Sequence, residues 1–172
     1  MSNLDLFETE RLVLSGWRMD EVDDLMRLHG TETATRYLTT KGVPYTREQC
    51  EEAVSHWIEL FETRQLGKLR VRRKADNVLV GRAGFGIYPP TGEPEIGYTL
   101  FEEFWGQGYA KEAAAGLRDW FFASDKGEHF IGMAHVDNAA SRAVLEKIGM
   151  QKTHQAIDYY GFPCQFHILR RS

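Results

Sequence analysis

Between Glu95 and Ala113 the chain reads EIGYTLFEEFWGQGYAKEA, and no other stretch restricts the fold as much. An alternating strand runs into two glycines spaced one residue apart, and these run into an alanine-rich helix. Gly106 and Gly108 lack Cβ, so the backbone can turn sharply there and a ligand can approach the N–H groups closely. The first turn of the helix has N–H groups without intrahelical partners. Together with the positive end of the helix dipole they suit an anion such as a pyrophosphate. The segment is not a Walker A loop, because no Gly-Lys-Ser/Thr follows Gly108, and it lacks the third glycine of a dinucleotide fingerprint. Taken alone, the glycines could equally serve a tight turn that only permits packing.

The rest of the chain supplies the sheet around this unit. Glu10 to Trp17 alternates as a strand. Met19 to Gly30 sets Val22, Leu25, Met26 and Leu28 on one helical face and stops at glycine. Tyr45 to Gly67 reads as a second helix, with a capping box from Thr46 to Gln49. The period then changes to two, predicting antiparallel strands in KLRVRRK and NVLVGRAGFGIY joined at Ala75-Asp76-Asn77. Arg70 to Lys74 alternates along its strand and reads as a solvated basic face. A strand at Glu93–Phe101 leads into the glycine loop and a helix at Gly108–Ser124. A short apolar strand at His129–Val136 and a helix at Asn138–Gly149 follow, the latter with an Asn start and a Gly stop. Two more strands lie near Met150–Ile157 and Phe162–Arg170. The expected fold is an α/β mixed sheet of about seven strands with about four helices.

A chain of 172 residues suits one domain, 1–172, large enough to fold without a metal or disulfide. A net charge of −4 argues against nucleic acid as the main partner. No apolar run approaches the ~18 residues of a membrane span, and the start shows no basic and apolar leader pattern. Cys50 and Cys164 stand far apart with no Cys/His cluster, so no metal site is expected and reduced thiols in the cytoplasm are. Nothing in the sequence speaks against a homodimer.

The second informative segment is HVDNAASRAVLEKIGM, His135 to Met150. Asn138 ends a strand and opens a helix, and Ser141 follows one turn on. The amide of Asn138 suits either a ligand carbonyl or a plain N-cap. Together the two segments resemble the GNAT N-acetyltransferase superfamily, and most of all its branch of ribosomal-protein N-terminal acetyltransferases. ETERLVL (Glu8 to Leu14) is similar to that branch's opening strand, WGQGYAKEA to its acetyl-CoA motif and DNAASRAVLEKIGM to its second cofactor motif.

The resemblance implies a sheet whose fourth and fifth strands splay apart, with acetyl-CoA as co-substrate in the gap. Pantetheine would bond the backbone at Tyr98, Thr99 and Leu100. The pyrophosphate would lie on the loop formed by Trp105, Gly106, Gln107, Gly108, Tyr109, Ala110 and Lys111. Asn138, Ser141 and Arg142 would line the other side. Trp105 stands where much of the superfamily has Gln or Arg, as is common in this branch. Leu145 stands where many members carry a tyrosine general acid, which leaves Ser141 as the nearest proton donor.

Amine acetylation needs a neutral amine and a stabilised oxyanion. An α-amino group, with a pKa of about 7.7–8.0, is partly neutral near pH 7, whereas a lysine-type amine at about 10.4 is almost wholly protonated. Glu95 is the first candidate base, against an exposed edge carboxylate, and His135 the second, against a buried structural histidine. Asp158, Tyr159 and Tyr160 fall in a late loop where an acceptor could enter. The catalytic expectation is therefore Ser141, Glu95 and Asn138, acting on a primary amine by direct transfer. The competing functions are a non-catalytic acyl-CoA sensor and a protein binding another phosphate ligand.

Overall fold

The structure, a computed structural model, describes residues 4–38 and 43–172, the side chain of Thr35 excepted. Eight strands form one sheet in the order β1-β2-β3-β4-β5-β6-β8-β7. The strands are β1 Asp5–Glu8, β2 Leu12–Ser15, β3 Gly67–Arg73, β4 Leu79–Ile87, β5 Pro94–Leu100, β6 His129–His135, β7 Gln151–Ile157 and β8 Pro163–Arg170. The helices are α1 Val22–His29, α2 Glu32–Thr35, α3 Arg47–Arg64, α4 Tyr109–Ala123 and α5 Ala139–Lys147. The mixed α/β architecture is the one expected, with one strand and one helix more. The extra strand arises because the stretch around Thr9-Glu10-Arg11 turns, so that β1 and β2 pair antiparallel. The extra helix is the four-residue α2, with Thr31 as its N-cap. Among the described residues no helix is long and apolar enough to cross a membrane.

Local chemistry places most element ends. Thr46 accepts from Gln49 N while Gln49 caps back, so α3 begins with the expected capping box. Asn138 Oδ1 accepts from Ser141 N at 3.2 Å and opens α5. Alternation along the strands sends Leu69, Val71, Phe85, Ile96 and Phe130 to one face of the sheet, against Leu117 and Phe121 of α4 and Leu145 of α5. The opposite face lies under α1 and α3, which share a smaller core of Trp17, Val22, Leu25, Leu28, Cys50 and Val54.

One expectation for β3 is corrected. Arg70 and Arg72 do not form a solvated basic face. Arg70 is paired with Glu21 and Asp24 at 3.2 and 2.6 Å, and Arg72 with Asp5 at 2.7 Å. The carboxylates come from the turn before α1, from α1 and from β1, which close over this part of the strand.

The feature that positions the site is the junction of β5 and β6. All neighbouring strands pair antiparallel except these two, which run parallel and bond only at Glu95↔Ile131 and Ile96↔Gly132. Beyond Ile96 the two strands part, and the sheet opens toward the C-terminal ends of both.

Candidate active site

The glycine loop sits at the mouth of this opening. Gly106 and Gly108 have φ of +71° and +81°, a conformation costly for residues with a Cβ. A Cβ on Gly106 would meet nothing within 4 Å, and one on Gly108 would meet only Arg11 Nη2 at 3.4 Å. The glycines therefore answer to backbone conformation and not to tight packing, and the space above them is open. Among the described residues, no backbone carbonyl in a turn or cap accepts from the N–H groups of Gly106 to Lys111. A row of free donors at a helix N-terminus is the arrangement that holds a phosphate.

The loop is held from a distance. Glu112, in the first turn of α4, accepts from the Thr9 hydroxyl and from Arg11 N and Nε. Burial alone would raise the Glu112 pKa, but the bonds from Thr9 and Arg11 outweigh it and keep the carboxyl below its ordinary value. Arg11 also donates to Gln107 O at 3.0 Å and lies over the Tyr109 ring. The Tyr109 ring is buried, so this residue offers the opening only its N–H. Trp105 is half-exposed, and its indole N–H donates to Leu100 O at 3.1 Å. Gln107 and Lys111 are exposed, and Ala110 is half-buried.

The wall of the opening follows from strand alternation. Phe101 N donates to Val80 O of β4. In an antiparallel ladder successive residues turn their N–H and C=O groups to opposite sides. The N–H groups of Tyr98 and Leu100 consequently face the gap, while Thr99 faces β4, opposite Arg82. An extended arm entering from the glycine loop would pass Leu100, then Tyr98, and end where the strands meet.

Two side chains flank that meeting point on the α4/α5 face. Tyr98 Oη donates to Ser141 O at 2.9 Å and lies 3.2 Å from Ser141 Oγ. Burial raises the Tyr98 pKa well above its ordinary value, which outweighs the bond to Ser141, so the phenol stays protonated. Asn138 spends its Oδ1 on the helix cap, and its Nδ2 has no partner among the described residues. Arg142 is half-buried, with a sealed Nε that also has none. Leu145 is fully buried in the core and offers no proton. The side chain of Tyr98 was not legible from its position in a strand, because its partner lies 43 residues away.

Glu95 stands at the same level on the other face, that of α1 and α3. Burial raises its pKa above the ordinary carboxylate value, and Asp158 adds to this, while Lys68 and Arg82 oppose it. It is half-buried, not an exposed edge residue. His135 lies further along β6 toward the mouth, beside the rings of Tyr37 and Phe162, and its Nδ1 accepts from Asp137 N at 3.0 Å. Asp158 is buried and not a surface residue. It accepts from Tyr160 N, Phe162 N and Cys164 Sγ, whereas Tyr159 and Tyr160 are exposed.

A sheet that parts beside a loop of free N–H groups has room for an extended ligand with an anionic end. Residues 11–151 match the acetyltransferase (GNAT) domain family, and the chain belongs to that family. It is an acetyl-CoA-dependent acyltransferase. It is 27% identical over 158 residues to an uncharacterised N-acetyltransferase, p20, of Bacillus licheniformis, covering 91% of this chain and 88% of the relative. Its fold matches the crystal structure of an acetyltransferase from Agrobacterium tumefaciens str. C58 with a TM-score of 0.82, at 24% identity over 99% of this chain and 96% of the other. It also matches an acetyltransferase from Salmonella typhimurium that modifies the N-terminal serine of ribosomal protein L7/L12. There the TM-score is 0.79, at 20% identity over 95% of this chain and 97% of the other.

The arrangement around Ser141 makes one measurable prediction. If Ser141 protonates or hydrogen-bonds the leaving thiolate, Ser141→Ala lowers turnover and leaves the acetyl-CoA dissociation constant within a few-fold. General acid catalysis is worth ~10²–10⁴, and a thiolate that already leaves well puts this residue at or below the low end. Full turnover at saturating substrate would remove Ser141 from the mechanism.

Proposed function

We propose that the chain, acting as one acetyltransferase unit over 1–172, moves the acetyl group to a primary amine by direct attack, the amine being a protein N-terminus or a small molecule. The observation that carries this reading is the parting of β5 and β6 after Ile96, flanked by Ser141 on one face and Glu95 on the other. The pyrophosphate lies on the free N–H groups of Gly106 to Lys111, and pantetheine runs along the edge of β5 at Tyr98 to Leu100. Asn138 Nδ2 and Arg142 face it from α5. The amine approaches from the α1/α3 face, where Glu95 takes its proton directly or through water. Nitrogen then attacks the thioester carbon, a backbone N–H on the open edge of β5 holds the oxyanion, the C–S bond breaks, and Ser141 meets the leaving sulfur.

No acetyl-enzyme forms, because neither cysteine is set up as a nucleophile. Both are buried and free. Burial raises the Cys50 thiol, and burial together with the Asp158 carboxylate pushes Cys164 up to about 12. Two free thiols also suit the cytoplasm.

The test is release of CoA thiol over a panel of amines, with initial-rate kinetics on the Cys50→Ser, Cys164→Ser protein. Activity with intersecting double-reciprocal lines is expected. Parallel lines, or acetylated protein trapped without amine, would overturn direct transfer. Tight acetyl-CoA binding with no turnover on any amine would make the chain a sensor instead.

A further inference from the structure

The face of the sheet assigned to the acceptor holds one buried and one half-buried cation, and among the described residues no carboxylate is bonded to either. Arg82 of β4 is 6% exposed. Its Nε donates to His29 Nε2 at 2.8 Å, its guanidinium lies 5.2 Å from the Trp57 ring, and it has no ion pair among the described residues. Arg11, Arg70, Arg72 and Arg73 differ, since each holds a carboxylate. His29 supplies no negative charge. Burial, and then the charge of Arg82, lower its pKa to about 2, so it is a neutral acceptor. The two Nη nitrogens of Arg82 donate to nothing among the described residues, yet neither is sealed from solvent.

Lys68 is the second cation. It shares a face with Arg82 along β3 and β4, and among the described residues its Nζ reaches only Gly84 O, at 3.3 Å. It lies over the backbone of β5, where a Cβ on Gly97 would come within 2.7 Å of the ammonium. Glu95 completes the group from two residues before Gly97. It interacts with both cations without bonding to either. A buried charge is retained only where something compensates it. One half-buried carboxylate facing two cations leaves room for one more negative charge.

We infer that the acceptor is a small amino-acid-type amine, whose carboxylate is bound by the free Nη nitrogens of Arg82 with Lys68 beside it, and whose amine is thereby presented to Glu95. The inference rests on the reading of this chain as an amine acetyltransferase. Arg82 acts here as a specificity residue: a guanidinium offers two parallel donors to a carboxylate, which an ammonium cannot.

The experiment compares α-amino acids with their carboxamides, which keep the amine and lose the anion, and with dipeptides, whose carboxylate lies one residue further from the amine. Both kcat/KM and binding to the CoA-loaded protein are measured, with wild type, Arg82→Gln and Arg82→Lys. For wild type, preference for acid over amide on the order of 10²-fold is expected, with dipeptides resembling amides. Arg82→Gln brings the ratio near one, and Arg82→Lys keeps part of it. Because Arg82 is buried, each variant is checked for acetyl-CoA affinity, which a folded protein retains. Equal use of acids and amides by wild type overturns the inference and leaves the catalytic reading standing, as does a better rate with dipeptides. So does an Arg82→Gln protein that loses acid and amide in equal proportion. Selective binding of acids without acetylation has the opposite meaning: the anion site stands and the catalytic reading falls.

Discussion

A carboxylate placed on the glycine loop weakens acetyl-CoA binding at least ~10²-fold, since several charge-assisted bonds of about 1.5–3 kcal/mol each are at stake. Gly108→Asp sets a negative charge at the start of α4, where the pyrophosphate is proposed to sit. It also forces a Cβ into a backbone with φ of +81°. Arg11 Nη2 lies 3.4 Å from where that Cβ would be, so it would draw the new carboxylate partly aside. Gly106→Asp meets no such neighbour and is the cleaner variant. Gly106→Ala and Gly108→Ala separate backbone strain from charge. Calorimetry on a folded Gly106→Asp protein that still binds acetyl-CoA with wild-type affinity would remove the loop from the cofactor site.

Glu95→Gln removes the proposed base and is expected to lower kcat by ~10²–10⁴, the usual worth of general acid–base catalysis. The pH profile gives the sharper readout. A base works only when ionised, so kcat/KM falls as pH drops through the Glu95 pKa. Burial and Asp158 lift that pKa above the ordinary carboxylate value, which brings the falling limb closer to neutrality. The limb disappears in Glu95→Gln. A variant that keeps both the rate and the limb would shift the role to water or to His135.

The element order was legible because most elements announce themselves locally. Thr46 with Gln49, and Asn138 with Gly149, mark helix ends by their own chemistry, and the change of period after Gly67 marks the strands. The hairpin of β1 and β2 was hidden for the opposite reason. Thr9, Glu10 and Arg11 carry no glycine, proline or asparagine, and the turn is secured by Glu112 of α4. The basic look of β3 misled in the same way, because the acids that neutralise Arg70 and Arg72 lie far off in the chain. At the site, the strand, glycine loop and helix in succession and the Asn138 cap could be read locally, while the cofactor role expected of them came from the family resemblance. Tyr98 and Arg82 could not, because their significance depends on Ser141 and His29, 43 and 53 residues away.

The bond between Arg11 and Glu112 also bears on how the protein assembles. It joins residues 101 apart in sequence. Closing so long a loop is paid in entropy before the contact returns anything, and contacts of such separation slow folding. The segment from Trp105 to Ala113 reads as the most self-contained motif of the chain. Its start is nonetheless anchored by Thr9 and Arg11, about a hundred positions upstream, which bond to it only once α4 is in place. The glycine loop is therefore held in place only when the two ends of a hundred-residue loop have met.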